Sequence, residues 1–381
     1  MVEVLRRIPE QLVGAVFVQL TDYVSKNSNR HQALSIIRDD LSGLDQFSEK
    51  HFFLAKVAEW ASDFSLAAIS LDKALALKPD MARAVVLKAN IISKDDRKAA
   101  LDILEEFVKI YPDKDFARLA LARVLFLDTQ LEKSREQFYE LIKHNSQNSY
   151  YAYSIGIISS EMDDWQVADR YLKLALKLGY PRKEIIQFRL GVVNEKLGEF
   201  NEAGQWYMSV DQGENFILAR AYYAGILIKQ DKFQEAKDLL GSTIPKDDSQ
   251  AIQLAQAKAY LHQQMGEYHE AFKILRLALD ISPDHQELLY EIAIASEKID
   301  RIDLVERYLV HLIELKPDHA QAYNALGYTL AERTQRYQEA FDYIQRAMKL
   351  EPNDPYILDS MGWVCFKMGD IPCGEKFLRA A

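Results

Sequence analysis

The sequence has little of what loop-rich or cysteine-stabilised domains are built from. It contains only two cysteines, Cys365 and Cys373, and 10 prolines and 15 glycines in 381 residues. Two cysteines exclude a disulfide framework and a four-cysteine zinc site. So few prolines and glycines disfavour a β-sandwich, whose many turns use these residues.

An excess of positive charge and long apolar segments are missing as well. The formal net charge is −10, and nucleic acid is therefore not the expected ligand, because phosphate binding needs clustered Lys and Arg. No run approaches the roughly 18 to 20 apolar residues that cross a bilayer. Glu3, Arg6 and Arg7 stand where a signal peptide needs an apolar stretch. We expect either a cytoplasmic protein or the mature part of an exported one.

Motifs of enzymes are also absent from the sequence. The eight histidines form no His-Glu-x-x-His spacing, and there is no glycine-rich phosphate loop, nucleophile elbow or kinase motif. We therefore expect no enzymatic activity, no bound metal and no cofactor.

The residues that are abundant favour helices. Apolar residues make up 49% of the chain, which is enough to bury a core, and Ala, Leu, Glu, Lys and Gln are frequent. A repeat is visible: Gly156 is followed twelve positions later by Ala168, and the steps from Pro283 to Pro317 and from Pro317 to Pro352 are 34 and 35 residues. Small residues allow two helices to pack closely, and proline ends the second helix because it lacks an N–H group.

This spacing resembles that of the tetratricopeptide (TPR) repeat, whose period is 34 residues. The resemblance implies an all-α fold, a right-handed α-solenoid of about ten to eleven stacked helical hairpins. Residues 1–47 would form degenerate N-terminal helices or a first repeat, and residues 48–381 a continuous array. The expected units are 48–81, 82–114, 115–148, 149–183, 184–216, 217–251, 252–285, 286–319, 320–354 and an incomplete 355–381.

The turns inside the hairpins and the two cysteines allow further expectations. Gly198, Gly266 and Gly369 mark tight turns, where a positive φ costs glycine little.

Cys365 falls at a buried position of a first helix, and Cys373 lies near the start of the facing helix. A disulfide between them is conceivable, although we expect free thiols. The last unit stops at Ala381 within its second helix, which predicts a fragment or an end covered by a partner.

The resemblance also implies where a partner would bind. The first helices of stacked TPR hairpins line a concave groove that takes extended peptides or helices, and in this chain that groove is rich in aromatic residues. Tyrosine and tryptophan suit binding surfaces, although such rings can instead pack on a neighbouring repeat. The predicted groove residues are Tyr150, Tyr153, Phe188, Arg189, Tyr222, Tyr260, Tyr290, Tyr328 and Trp363. Of these, we expect Tyr150, Tyr153, Phe188, Arg189 and Tyr222 to form a central patch.

A closer resemblance concerns residues 323–331, 337–340 and 357–363. They look like the C-terminal part of large TPR proteins of Gram-negative bacteria, many of which are exported or lipid-anchored. This implies a protein or peptide partner, and a periplasmic or envelope location if an export signal was removed. Our hypothesis is a non-enzymatic interaction scaffold. The alternatives are a regulatory subunit or adaptor of an enzyme such as an envelope protease, and a glycan- or lipid-binding protein.

Overall fold

The computed structural model describes residues 45–381, and within them it contains twenty α-helices and no strand. The all-α prediction is confirmed. Two compact units divide the chain, the first ending at Leu197 and the second running from Gly198 to Ala381. Residues 1–44 of the predicted degenerate first repeat lie outside the described residues. That residues 48–381 form one continuous array stays a prediction.

Nine helices belong to the described part of the first unit. They are α1 (Ser48–Trp60), α2 (Phe64–Leu77), α3 (Ala82–Ile92), α4 (Arg97–Ile110), α5 (Asp115–Leu127), α6 (Leu131–His144), α7 (Ser149–Glu161), α8 (Trp165–Lys177) and α9 (Lys183–Lys196).

Eleven helices belong to the second unit. They are α10 (Phe200–Ser209), α11 (Phe216–Lys229), α12 (Phe233–Ser242), α13 (Asp248–Gln264), α14 (Tyr268–Ile281), α15 (Gln286–Lys298), α16 (Ile302–Leu315), α17 (Ala320–Arg333), α18 (Tyr337–Leu350), α19 (Pro355–Lys367) and α20 (Ile371–Leu378).

Consecutive helices pack as antiparallel hairpins within each unit. In the first unit the pairs begin with α1, α3, α5 and α7, and in the second with α11, α13, α15, α17 and α19. We call these the first helices, and their partners the second helices. A second helix also packs against the first helix of the next hairpin. Each hairpin therefore buries its apolar face on its neighbours, as expected for a repeat protein.

The sequence signals for helix ends act as predicted. Five prolines close repeat units, and each follows a residue whose ψ lies between 70° and 87°, outside the helical range. They are Pro79, Pro112, Pro283, Pro317 and Pro352. The proline ring excludes the α conformation from the residue before it, and the second helix ends there.

Several second helices begin after an aspartate whose carboxylate accepts a hydrogen bond from the backbone N–H three residues further on. These aspartates are Asp63, Asp96, Asp164 and Asp370.

Most turns between the two helices of a hairpin contain a residue in the left-handed conformation, although the turns after α3 and α17 contain none. Gly198, Gly266 and Gly369 have φ values of 80°, 75° and 84°, so the prediction for these glycines is confirmed. Other hairpins place a non-glycine residue in the same conformation, for example Asp163 at 56° and Asp300 at 60°. The turn geometry is therefore set by the packing of the hairpin, and glycine is the residue that adopts it with least strain.

Small residues stand where the two helices of a hairpin come closest. Ala340 on α18 is fully buried, and a Cβ added to Gly327 on α17 would lie 2.8 Å from the Ala340 carbonyl oxygen. In the α7–α8 hairpin, a Cβ added to Gly156 would lie 2.7 Å from the side chain of Leu172. Backbone atoms cannot move aside as a flexible side chain can, so Gly327 is the stricter requirement.

Two buried arginines link neighbouring hairpins. Arg220 on α11 donates hydrogen bonds to the carbonyls of Tyr207 and Met208, at 2.6 and 3.3 Å, where α10 ends. Burial lowers the pKa of this guanidinium. Arg118 on α5 similarly donates to the Pro112 carbonyl at 3.0 Å. Both side chains donate to backbone carbonyls at or just after the end of the preceding helix.

The expectation of free thiols is wrong, because the structure joins Cys365 to Cys373 in a disulfide. The tight turn after α19 folds α20 back on it, so residues eight positions apart have Cα atoms 5.7 Å apart. This separation lies in the range that a disulfide spans.

We predict that Gly327→Ala lowers the stability of the protein. The new methyl group would press on the Ala340 carbonyl, and overpacking of this kind costs about 1 to 3 kcal/mol. Gly225→Ala is the matched control, because Gly225 also lies inside a helix, α11, and a Cβ there meets nothing within 4 Å. That substitution should leave stability unchanged or raise it by about 0.5 to 1 kcal/mol. Urea unfolding followed by circular dichroism distinguishes the two, and equal effects would contradict the assignment.

Candidate functional site

A cleft of about 330 Å³ opens in the first unit between α5, α6 and α7. Its walls include Arg123, Phe126, Leu127, Phe138, Tyr150 and Tyr153. The walls are mainly apolar, with a guanidinium and phenol groups among them. A cleft of this size and composition is typical of sites that take one large apolar group and orient it by a few polar contacts.

Tyr150 is fixed in the cleft wall by three contacts. Its hydroxyl accepts a hydrogen bond from Arg123 Nε at 3.3 Å, and the guanidinium carbon lies 5.3 Å from the centre of the ring. The edge of the ring packs on Phe138 with 6.3 Å between centroids. The Asn148 side chain accepts the Tyr150 N–H at 3.0 Å and so begins α7 at this point.

Tyr153 lies one helical turn further along α7. Its ring stacks on Tyr180 with 4.4 Å between centroids and 21° between planes. Burial raises the pKa of the Tyr153 phenol, and the positive charges of Arg189 and Arg182 act in the opposite direction. The phenol is therefore protonated near neutral pH, and two arginines of the α9 region lie within electrostatic range of it.

The structure brings together only part of the predicted central patch. Tyr150 and Tyr153 share the cleft, and Arg189 lies near Tyr153. Phe188 is half-buried on α9, outside the residues that line the cleft. Tyr222 belongs to the second unit, where its ring centroid lies 5.7 Å from that of the buried Tyr207.

The remaining predicted residues lie on first helices of the second unit. Tyr260 is 50% exposed on α13. Tyr290 on α15 stacks against the imidazole of His319 at 5.8 Å, and burial raises the pKa of its phenol. Tyr328 on α17 is 38% exposed. Trp363 on α19 is half-buried and stacks on Phe366.

Trp363 is held by a glutamate and a lysine. Its indole Nε1 donates to Glu332 at 2.9 Å. Lys367 pairs with the same carboxylate at 3.2 Å and places its ammonium 4.9 Å from the centre of the indole ring. The hydrogen bonds from Lys367 and Trp363 lower the pKa of Glu332. These contacts fix the indole and leave part of its ring surface accessible.

The charge near these rings differs between the units. Burial raises the pKa of Tyr328, the carboxylates of Glu332, Glu297 and Asp359 add to that rise, and the charge of Lys367 opposes it. In the first unit the Arg123 guanidinium lies 5.3 Å from the centre of the Tyr150 ring, and the charges of Arg189 and Arg182 act on Tyr153. The balance of charge around the two sets of aromatic residues therefore differs.

Sequence reasoning missed Phe126 and Leu127 of the cleft and the contact between Tyr153 and Tyr180. Phe126 and Leu127 continue α5 beyond its last buried residues, and Leu127 is 64% exposed. The signal in the sequence that could have indicated them is a pair of apolar side chains that continues the helix after its last buried positions. Tyr180 follows Gly179 in the turn after α8, and its contact with Tyr153 joins residues 27 positions apart. No local pattern in the sequence indicates that contact.

The described residues also bear on metals and membranes. No group of three or more His, Cys, Asp or Glu side chains in residues 45–381 could hold a metal ion. None of the helices in that range combines the length and the apolar character needed to cross a bilayer.

Comparison with known proteins identifies the repeat. Family models for the tetratricopeptide repeat match residues 252–285 and residues 303–355. The chain contains tetratricopeptide repeats. TPR proteins generally mediate protein–protein interactions, so binding of a protein partner is the general activity to expect.

One relative in sequence is a TPR repeat-containing protein of Pseudomonas aeruginosa. It is 35% identical over 194 residues, which are 51% of this chain and 33% of the relative. The chain thus spans about a third of the length of that relative. The match leaves the remaining two thirds of that relative without a counterpart in this chain.

Two solved structures are similar to the chain. The C-terminal part of a TPR repeat-containing protein from Cytophaga hutchinsonii is 17% identical, with a TM-score of 0.45 over 64% of this chain and 99% of that one. The structure of Naa15/Naa10 bound to HypK-THB is 12% identical, with a TM-score of 0.42 over 87% of this chain and 63% of that one.

We predict that His319 makes stability depend on pH. Its Nδ1 accepts the Ala322 N–H at 3.2 Å, and burial, followed by the charge of Lys316, lowers its pKa below the ordinary 6.5. A depressed folded-state pKa means that the stabilising contribution is present above about pH 6.5 and is lost as the pH falls through the folded-state pKa. The thermal midpoint should therefore drop between about pH 7 and pH 5.

The variant His319→Gln should flatten this drop, because it removes the titrating group while keeping a side chain that can accept a hydrogen bond. His269→Gln supplies the control, since His269 is exposed on α14. Differential scanning calorimetry of the three proteins over that pH range measures the effect. Identical pH profiles for all three would contradict the role of His319.

Proposed function

We propose that this TPR chain is a non-enzymatic scaffold that binds a segment of a partner protein in an aromatic-lined groove formed by its first helices. The observation that carries the proposal is the cleft beside Tyr150 and Tyr153 in the first unit. It combines an apolar interior with rigidly held aromatic rings and a guanidinium at its wall. Interface hot spots are enriched in this combination of Tyr and Arg.

The chemistry of the cleft suggests what the partner segment contains. About 330 Å³ is room for one large apolar side chain. Arg123 lies at the wall, and Arg189 is exposed on α9 near Tyr153. A guanidinium binds a carboxylate through paired hydrogen bonds. We therefore propose a segment with a large apolar residue next to an acidic one.

The first helices of the second unit would offer a further contact surface. Tyr328 and Trp363 are accessible in part, and carboxylates surround Tyr328. This surface favours a neutral or basic stretch of the partner, since burying a second carboxylate there would cost electrostatic free energy.

An adaptor or regulatory subunit of an enzyme, such as an envelope protease, is a special case of this scaffold in which the partner is the enzyme. A role in assembling a bacterial envelope complex is another special case of this scaffold.

Glycan binding is a different candidate, favoured by the accessible ring of Tyr260, because aromatic faces can stack on sugar rings. Lipid binding through the same apolar surfaces would be a further alternative.

We expect a Tyr150→Ala, Tyr153→Ala double variant to lose the partner. Affinity capture from a bacterial extract with the wild-type chain should recover a protein whose yield falls at least about tenfold with the double variant, as expected for hot-spot residues. Arg123→Glu should have a similar effect without disturbing the fold, because Arg123 is exposed. Circular dichroism checks that each variant is folded.

Ile69→Ala is the control, because Ile69 is 55% exposed on the second helix α2. It should recover the partner like the wild type. Equal recovery by all variants would remove the cleft from the proposal. Retention of a purified polysaccharide or lipid, with no protein captured, would favour the glycan- or lipid-binding alternative.

A further inference from the structure

A second, larger cavity lies in the second unit. It measures about 790 Å³ and opens between the second helices α14 and α16, beside the start of α15. Its floor is apolar and includes the buried Leu279 and Leu289 and the half-buried Phe272 and Tyr308. None of the nine predicted groove residues lines it. The cavity is therefore a separate feature of the fold.

Two arginines at the edge of this cavity have no acidic partner. Arg276 on α14 and Arg307 on α16 are exposed, and within the described part of the chain no carboxylate oxygen lies within 4.0 Å of either guanidinium. Their neighbours differ in this respect. Arg301 forms a two-point bond with Asp303, at 2.8 and 2.6 Å, and His311 pairs with Asp284 at 2.9 Å.

These two arginines lie without a carboxylate partner in a chain of net charge −10. Acidic side chains outnumber basic ones, and many exposed arginines here do have carboxylate partners, for example Arg333 and Arg336. Two unpaired guanidinium groups on adjacent second helices, on either side of an apolar floor, form a local positive site. Such a site attracts carboxylates and holds them by charge-assisted hydrogen bonds.

One carboxylate, that of Asp280, also lines the cavity. It would repel a compact, densely charged group such as inorganic phosphate or a lipid phosphate. A peptide can supply hydrogen-bond donors to the Asp280 carboxylate, because peptide N–H groups and hydroxyl side chains donate hydrogen bonds to a carboxylate. The combination of an apolar floor, two guanidinium groups and one acceptor therefore favours a peptide over a simple anion.

We propose that this cavity binds an acidic peptide segment of a partner protein. Large apolar side chains of the segment rest on Phe272, Leu289 and Tyr308. Acidic side chains on either side pair with Arg276 and Arg307, and a backbone N–H of the segment donates to Asp280. The site lies in the second unit and shares no lining residue with the cleft in the first unit.

Fluorescence anisotropy on the full chain tests the proposal. The probe is a labelled nonapeptide with a Leu-Phe pair flanked on each side by two glutamates, compared with the same peptide carrying glutamine in place of every glutamate. We expect the acidic peptide to bind at least about tenfold more tightly, with affinity that falls as salt is added. The Arg276→Glu, Arg307→Glu double variant should reduce that affinity at least about tenfold.

Two controls separate this site from other positive charges. Arg346→Glu reverses an exposed arginine on α18 of the same unit that does not line the cavity, and it should leave binding unchanged. Arg123→Glu reverses the charge at the first-unit cleft and should also leave it unchanged. If the cleft in the first unit binds no partner, the binding of the acidic peptide to the second-unit cavity is therefore unchanged.

Several outcomes would overturn the proposal. They are equal binding of the glutamine peptide, no binding of the acidic peptide up to about 1 mM, and full binding by the Arg276→Glu, Arg307→Glu variant. Vesicles containing phosphatidylglycerol form a separate arm. Binding of vesicles that depends on Arg276 and Arg307, without binding of the peptide, would assign the cavity to a lipid surface instead.

Discussion

The close approach of two helices at positions with little or no side chain is the constraint on which the rest of this structure depends. Fully buried alanines such as Ala67, Ala168 and Ala340 stand at these positions, and at Gly327 even a methyl group would meet backbone. Only this spacing lets the neighbouring large residues, such as Leu172 and Ile344, pack fully buried between the helices. Stability in each unit is then a sum of local contacts between adjacent hairpins.

A fold held together in this way leaves most of its surface free for other uses. The small residues and the leucines and isoleucines beside them face inward, and the outward positions of the helices are not required for packing. In the first unit these positions form a cleft with arginines beside tyrosines. In the second unit they form a face with carboxylates around Tyr328 and, on the second helices, a cavity with unpaired arginines. The same scaffold therefore presents chemically different surfaces.

Local signals were sufficient to predict the repeat units, the ends of several second helices and some of the turns. Prolines such as Pro79 and Pro317 and the glycines at 198, 266 and 369 act through the backbone within a few residues of their own position. Their effect is independent of what packs against the hairpin. The stacked pair of Tyr153 and Tyr180 is different, because it joins a helix to the turn beyond the next helix.

The sequence by itself determined the helical hairpins, their period and two members of the cleft, Tyr150 and Tyr153. Helix propensity, capping and the spacing of small residues are local properties, so a single chain can reveal them. The tertiary structure alone decided that Phe126, Leu127 and Tyr180 belong with those tyrosines, that Cys365 and Cys373 are joined, and that Arg276 and Arg307 flank one cavity. These groupings depend on which side chains of different helices come together, which only the packing of the helices fixes.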